Sequence, residues 1–128
     1  MVLLVPKTSK LKSPLELWQR DKINDPLICL PAQELLTRLF QSRLAELEVE
    51  WFPTIEASST DLIETYVANG LGIGMSVQVP SRSLPENVRA LALKDFPPAR
   101  IGALWRGKNT PLLDAFLDVA KQRAKEIT

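Results

Sequence analysis

The chain has 128 residues, 45% of them hydrophobic, with 16 Lys and Arg against 15 Asp and Glu and a formal charge of +1. That length suffices for one domain with a proper core, and the near-neutral balance lacks the basic footprint of a protein that binds nucleic acid by itself. Histidine is absent and Cys29 is the only cysteine, which removes the commonest general base, an intramolecular disulfide and a thiolate metal cluster together.

Met1–Pro6 (Met-Val-Leu-Leu-Val-Pro) reads as a buried strand. It has no basic leader and breaks at Pro6 too early for a signal sequence. No later run reaches the ~20 apolar residues that span a bilayer, so a cytoplasmic chain without a membrane partner is expected. Lys7, Lys10 and Lys12 belong to a solvated loop. Ser13 caps a short helix through Trp18 and Gln19, with Pro14 in its first turn. Residues 26–31 form the next strand, in which Cys29 is predicted to be a small buried hydrophobe. From Gln33 to about Glu48, Leu35, Leu36, Leu39, Phe40, Leu44 and Leu47 predict one apolar face of a helix. A strand follows over Trp51–Ala57, and Pro53 places it at an edge or delays its start.

Residues 58–80 carry the strongest local signals. Ser58, Ser59 and Thr60 offer side-chain oxygens to a helix start, and Asp61 and Glu64 put negative charge near its positive end. Leu62, Ile63, Tyr66 and Val67 recur at helical spacing, and Asn69-Gly70 supplies the stop. Gly72–Val79 then resumes as an apolar strand suited to a sheet covered on both faces. The triplet Gly70-x-Gly72-x-Gly74 is no dinucleotide fingerprint, because it ends a helix and enters a strand whereas the fingerprint needs the reverse.

Beyond a turn-rich 80–85, Val88–Leu93 is a strand and 95–100, with Pro97 and Pro98, a linker. Ile101–Arg106 is predicted as a strand and Thr110–Glu126 as a closing helix, capped by Thr110, with Leu112, Leu113, Phe116, Leu117 and Ala120 as its buried stripe. Trp18, Trp51 and Trp105 are expected as core or interface anchors. Alternating strands and helices define an α/β fold, a small parallel or mixed sheet flanked by helices. The prolines divide the chain into 1–95 and 96–128. The second piece is too small to bury its own faces, so it must pack on the body, on a missing half or on another copy.

The order of these motifs resembles the effector-binding domain of LysR-type transcriptional regulators. Met1–Pro6 is similar to that family's crossing strand, and 13–31 to its "Pro-Leu…Leu…Pro-Leu-Ile-x-Leu-Pro" passage. The Gly-Leu-Gly-Ile-Gly turn, and Ile101–Gly107 with Pro111–Val119, are similar to later segments of the same domain. The wording Thr-Tyr-Val followed by Gly-Leu-Gly-Ile-Gly is most similar to regulators of sulfur assimilation. The resemblance implies a periplasmic-binding-protein-like fold, with 1–95 as a Rossmann-like second subdomain and 96–128 as the returning strand and helix of the first. It also implies a regulatory domain rather than an enzyme, without its winged helix-turn-helix and hence without direct contact to DNA.

In open α/β sheets ligands lie beyond the carboxyl ends of the strands, against helix N-termini. Two loops meet that description here: Pro31, Ala32 and Gln33, and Ser58, Ser59 and Thr60. The hydroxyls either only cap a helix or also face a ligand. The resemblance implies the second use, with a small-molecule effector, anionic in many relatives. At the first loop the chain departs from the family, since Ala32-Gln33-Glu34-Leu35-Leu36 stands where small and hydroxyl residues are usual. Glu34 there would repel an anion unless it points away. No cofactor or metal is expected. The expected assembly is a homodimer, through sheet edges and apolar faces left uncovered. The alternative is a stand-alone dimerisation module with a degenerate cleft.

Overall fold

A computed structural model describes residues 1–127; Thr128, the last residue of the expected second segment, lies outside them. The chain divides into two compact units, residues 1–78 with 84–99, and residues 79–83 with 100–128.

The first unit is built on a five-stranded mixed sheet. Its strands are β1 (Val2–Pro6), β2 (Leu27–Cys29), β3 (Pro53–Glu56), β4 (Ile73–Ser76) and β5 (Val88–Ala92), in the order β3-β2-β4-β1-β5. β2 runs parallel to β3 and β4, whereas β1 is antiparallel to both β4 and β5. β3 is an edge strand beginning at Pro53 itself, where a missing N–H costs least.

Alternation along β1 explains its unbroken apolar sequence. Leu3 and Val5 point into a cluster with Leu17, Phe40, Leu44, Trp51 and Met75, beneath the helices α1 (Leu15–Trp18) and α2 (Leu35–Glu46). Val2 and Leu4 point the other way, to Ile28, Ile63 and Val67 beneath α3 (Thr60–Ala68). With both faces covered, every second residue is still buried. The first cluster is held together by rings: Phe96 stacks on Phe40 at 5.4 Å, and Trp18 meets Trp51 edge-on at 6.1 Å. The loop carrying Lys7, Lys10 and Lys12 is solvent-exposed at those lysines. It is fixed by Arg89, whose guanidinium donates to the carbonyls of Ser9, at 2.6 Å, and of Leu11.

α2 is shorter than its sequence pattern suggests. It begins at Leu35 rather than Gln33, and its buried residues are Thr37, Phe40 and Leu44. Leu35 and Leu47, expected on the apolar face, are 53% and 38% exposed. The helix touches the sheet through a stripe narrower than its leucines, and residues at either end overhang it. Trp51–Ala57 shortens to Pro53–Glu56 and Gly72–Val79 to Ile73–Ser76 for the same reason: pairing stops where neighbouring strands stop.

The second unit contains α4 (Pro111–Ile127), capped as expected by Thr110, whose Oγ1 accepts from the Leu113 N–H at 3.2 Å. Two expectations fail here. Residues 101–106 form no strand and are all exposed, Ile101 at 94% and Leu104 at 101%. The stripe of α4 is not buried either. Leu112 and Phe116 are 82% and 60% exposed, while Leu113, Leu117 and Ala120 are half-covered. A strand exists only where a neighbour accepts its hydrogen bonds, and none of the described residues does so for 101–106. Trp105 accordingly lies on the surface, its indole N–H bonded to Asn109 Oδ1 at 3.0 Å.

α3 can lie close on β4 because Gly74 has no side chain. A Cβ there would sit 2.5 Å from Ile63 Cγ2 and 2.8 Å from Val67 Cγ2. Gly74→Ala should therefore cost about 1–3 kcal/mol through overpacking, read as a lower urea midpoint at unchanged denaturant slope.

Candidate functional site

The carboxyl ends of β2, β3 and β4 open together at one end of the sheet, and both predicted loops start there. The Ala57 N–H donates to the Cys29 carbonyl at 2.9 Å, which ties the end of β3 to the end of β2. After Leu30 the chain turns, with Glu34 N–H bonded to the Pro31 carbonyl at 2.9 Å. Thr37, buried in the first turns of α2, donates its hydroxyl to the Leu30 carbonyl at 2.8 Å. Pro31 is half-buried, and Ala32 and Gln33 are exposed. Glu34 occupies the N-cap position of α2 but makes no side-chain cap bond there. This loop presents no hydroxyl of its own.

The second loop is more strongly organised. Ser59 is the N-cap of α3, its Oγ accepting from the Leu62 N–H at 3.2 Å while its carbonyl accepts from Ile63. Ser58 is exposed and Thr60 half-buried. Of the three hydroxyls the sequence offered, Ser59 is the one that caps the helix. At its other end α3 stops as expected. Gly70, at φ 76°, bonds back to Val67, and the Leu71 N–H reaches the Tyr66 carbonyl at 3.1 Å.

Sequence reading missed two groups beneath this end of the sheet. Ser76, the last residue of β4, is 1% exposed, and its hydroxyl has no hydrogen-bond partner. Glu64, on the first turns of α3, is 5% exposed and engaged with other groups. A serine inside the otherwise apolar run Ile73–Val77 was the available signal. An open groove of about 610 Å³ lies elsewhere, before the amino ends of β2 and β3, lined by Trp18, Asp21, Asp25, Glu48, Trp51 and Phe52 among others. It shares no residue with either predicted loop.

Cys29 is fully buried between the two helix layers, and burial pushes its thiol up to about 12. It is a core residue, as its neighbours in sequence imply.

A three-layer α/β unit with polar loops gathered at the carboxyl ends of its parallel strands belongs to the class of small-molecule-binding folds. The chain is a member of the LysR substrate-binding domain family, whose model matches residues 1–125. Among solved structures it is similar to HinK, a LysR family transcriptional regulator from Pseudomonas aeruginosa. The identity is 20% and the TM-score 0.71, over 95% of this chain and 43% of that one. It is equally similar to the PA01 protein, a putative LysR family regulator from the same organism, with 20% identity and a TM-score of 0.72 over 96% and 44%. The cofactor-binding domain of the Cbl transcriptional regulator matches at 25% identity and a TM-score of 0.60, over 74% and 42%. The chain thus spans less than half the length of each of these chains. No curated protein matches it in sequence. Among the described residues no helix is long and apolar enough to cross a membrane.

Because burial raises the Cys29 thiol from 9.0 to about 12, the folded state keeps its proton over a range in which the unfolded state loses it. That contribution to stability is complete below pH 9 and falls as pH rises from 9 toward 12. Cys29→Val should lose less stability than the parent protein between pH 9 and 11, measured by urea unfolding at each pH.

Proposed function

We propose that this chain senses a small molecule, as part of the effector-binding domain of a LysR-type regulator. Residues 1–95 act as its second subdomain and residues 96–128 as the returning end of its first. The observation that carries this reading is the site at the carboxyl ends of β2, β3 and β4. There Ser58 and Thr60 stand free of the cap that Ser59 makes. Pro31, Ala32 and Gln33 form the facing loop, and binding at this end would bias domain closure or dimer geometry. The effector is a small molecule bearing an acceptor oxygen, and the chain works in the cytoplasm as a homodimer, without catalysis and without touching DNA itself.

The exposed residues 101–106 and the uncovered side of α4 support the domain assignment. They present an exposed apolar segment and an apolar helix face that a first subdomain would cover. A second reading, a dimerising module with a degenerate cleft, is favoured by the hydroxyl-free first loop.

The melting temperature and the solution mass by light scattering, followed with sulfate, acetate and a panel of amino acids, separate the two. Sensing predicts a rise in melting temperature with at least one ligand, a change in mass or dimer affinity, and loss of most of that response in Ser58→Ala/Thr60→Val. A stable dimer indifferent to every ligand would leave only the assembly module.

A further inference from the structure

We propose that the Ser76 hydroxyl is a further, specificity-determining donor of this ligand site, reaching an acceptor oxygen that enters beneath the first turn of α3. The proposal rests on the site reading above. Two observations fix where the side chain points. Ser76 is paired with Val2 across β1 and β4, and Val2 belongs to the cluster beneath α3. Residues directly opposite in an antiparallel pair share a face. Gly74, two residues earlier on the same face, lies against Ile63 and Val67. α3 connects the parallel-aligned β3 to β4, so it runs back along the sheet. Moving two residues along β4 from Gly74 therefore leads toward the start of α3, where Ser59 and Thr60 stand.

The hydroxyl there is 1% exposed and unpartnered. A polar group hidden from water without a partner destabilises the fold, and an alanine or valine would occupy the same place without that cost. A donor kept in such a place has a use when an acceptor arrives. The start of α3 adds its own orphaned N–H groups and the positive end of its dipole. The N–H groups can only donate and the hydroxyl can donate beside them, so the ligand atom that all of them fit is an acceptor oxygen. Asp61 and Glu64 lie on the first turns of the same helix, both engaged with other groups, and offset part of its positive dipole, so a single negative charge fits better than two. The ligand class is accordingly a monocarboxylate rather than a multivalent anion.

The test is an amide chemical-shift titration of the whole chain with acetate, and with sulfate at matched ionic strength, on the parent, Ser76→Ala and Ser76→Cys. In the parent, acetate should shift residues 57–62 and 75–77 and bind more tightly than sulfate. Ser76→Ala should weaken acetate at least fivefold while raising the melting temperature of the protein without added anion. Ser76→Cys, similar in size but a poorer donor, should fall between. If acetate binds the parent and Ser76→Ala alike, the hydroxyl is no part of the site and this proposal fails alone. A melting temperature lowered by Ser76→Ala, with acetate affinity intact, would assign it a structural bond instead. If neither anion shifts the parent, the site reading itself falls and takes this proposal with it.

Discussion

The approach of α3 to β4 at Gly74 governs the geometry at the carboxyl end of the parallel strands. Ile63 and Val67 lie where a Cβ on residue 74 would be, at 2.5 and 2.8 Å. A helix seated that closely has little freedom to slide, because its contact is methyl groups against backbone. Its first turn is thereby fixed relative to the end of β4. Ser59 then closes the cap, and the bond from Ala57 to the Cys29 carbonyl brings the second strand end alongside. The positions of Ser58 and Thr60 relative to Ser76 follow from a glycine in the strand on which α3 rests.

The two units differ in how completely they satisfy themselves. The first has both sheet faces covered and a ring cluster in which Phe96 stacks on Phe40 and packs at 6.1 Å from Trp18. Phe96 lies directly before Pro97 and Pro98, near the end of that unit. The second unit exposes Ile101, Leu104, Leu112, Phe116 and Val119. Half of the apolar arc of α4 is shielded through Leu113, Leu117 and Ala120, and the other half is open to water. Isolated exposed leucines are ordinary, but with Trp105 this makes six exposed large apolar residues within twenty, a denser apolar surface than scattered exposure gives.

How much was legible in sequence follows from which interactions are local. The cap at Ser59, the stop at Asn69-Gly70 and the edge position of Pro53 depend on neighbours within a few residues, and all three stand as read. The strand at 101–106 depends on a partner that no local pattern guarantees, so the pattern alone overstated it. The leucines of α2 were overstated in the same way, since periodicity gives a direction and not the width of the surface that receives it. Ser76 went unnoticed because its importance lies in what it lacks, and an unsatisfied hydroxyl is visible only once the neighbours of a strand are known.

The departure at the first loop bears on what the fold is used for. A TM-score of 0.71 at 20% identity to HinK means the backbone path survives wide changes in side chains. Buried alternation and glycine positions suffice to specify that path. The loops at the strand ends carry no such burden, so their chemistry can change without disturbing the sheet. Ala32-Gln33-Glu34 supplies a carboxylate and an amide and no hydroxyl, whereas the start of α3 carries the hydroxyls of Ser58, Ser59 and Thr60 beside Asp61. The two strand-end loops therefore differ in chemistry on a backbone path that buried alternation alone holds in place.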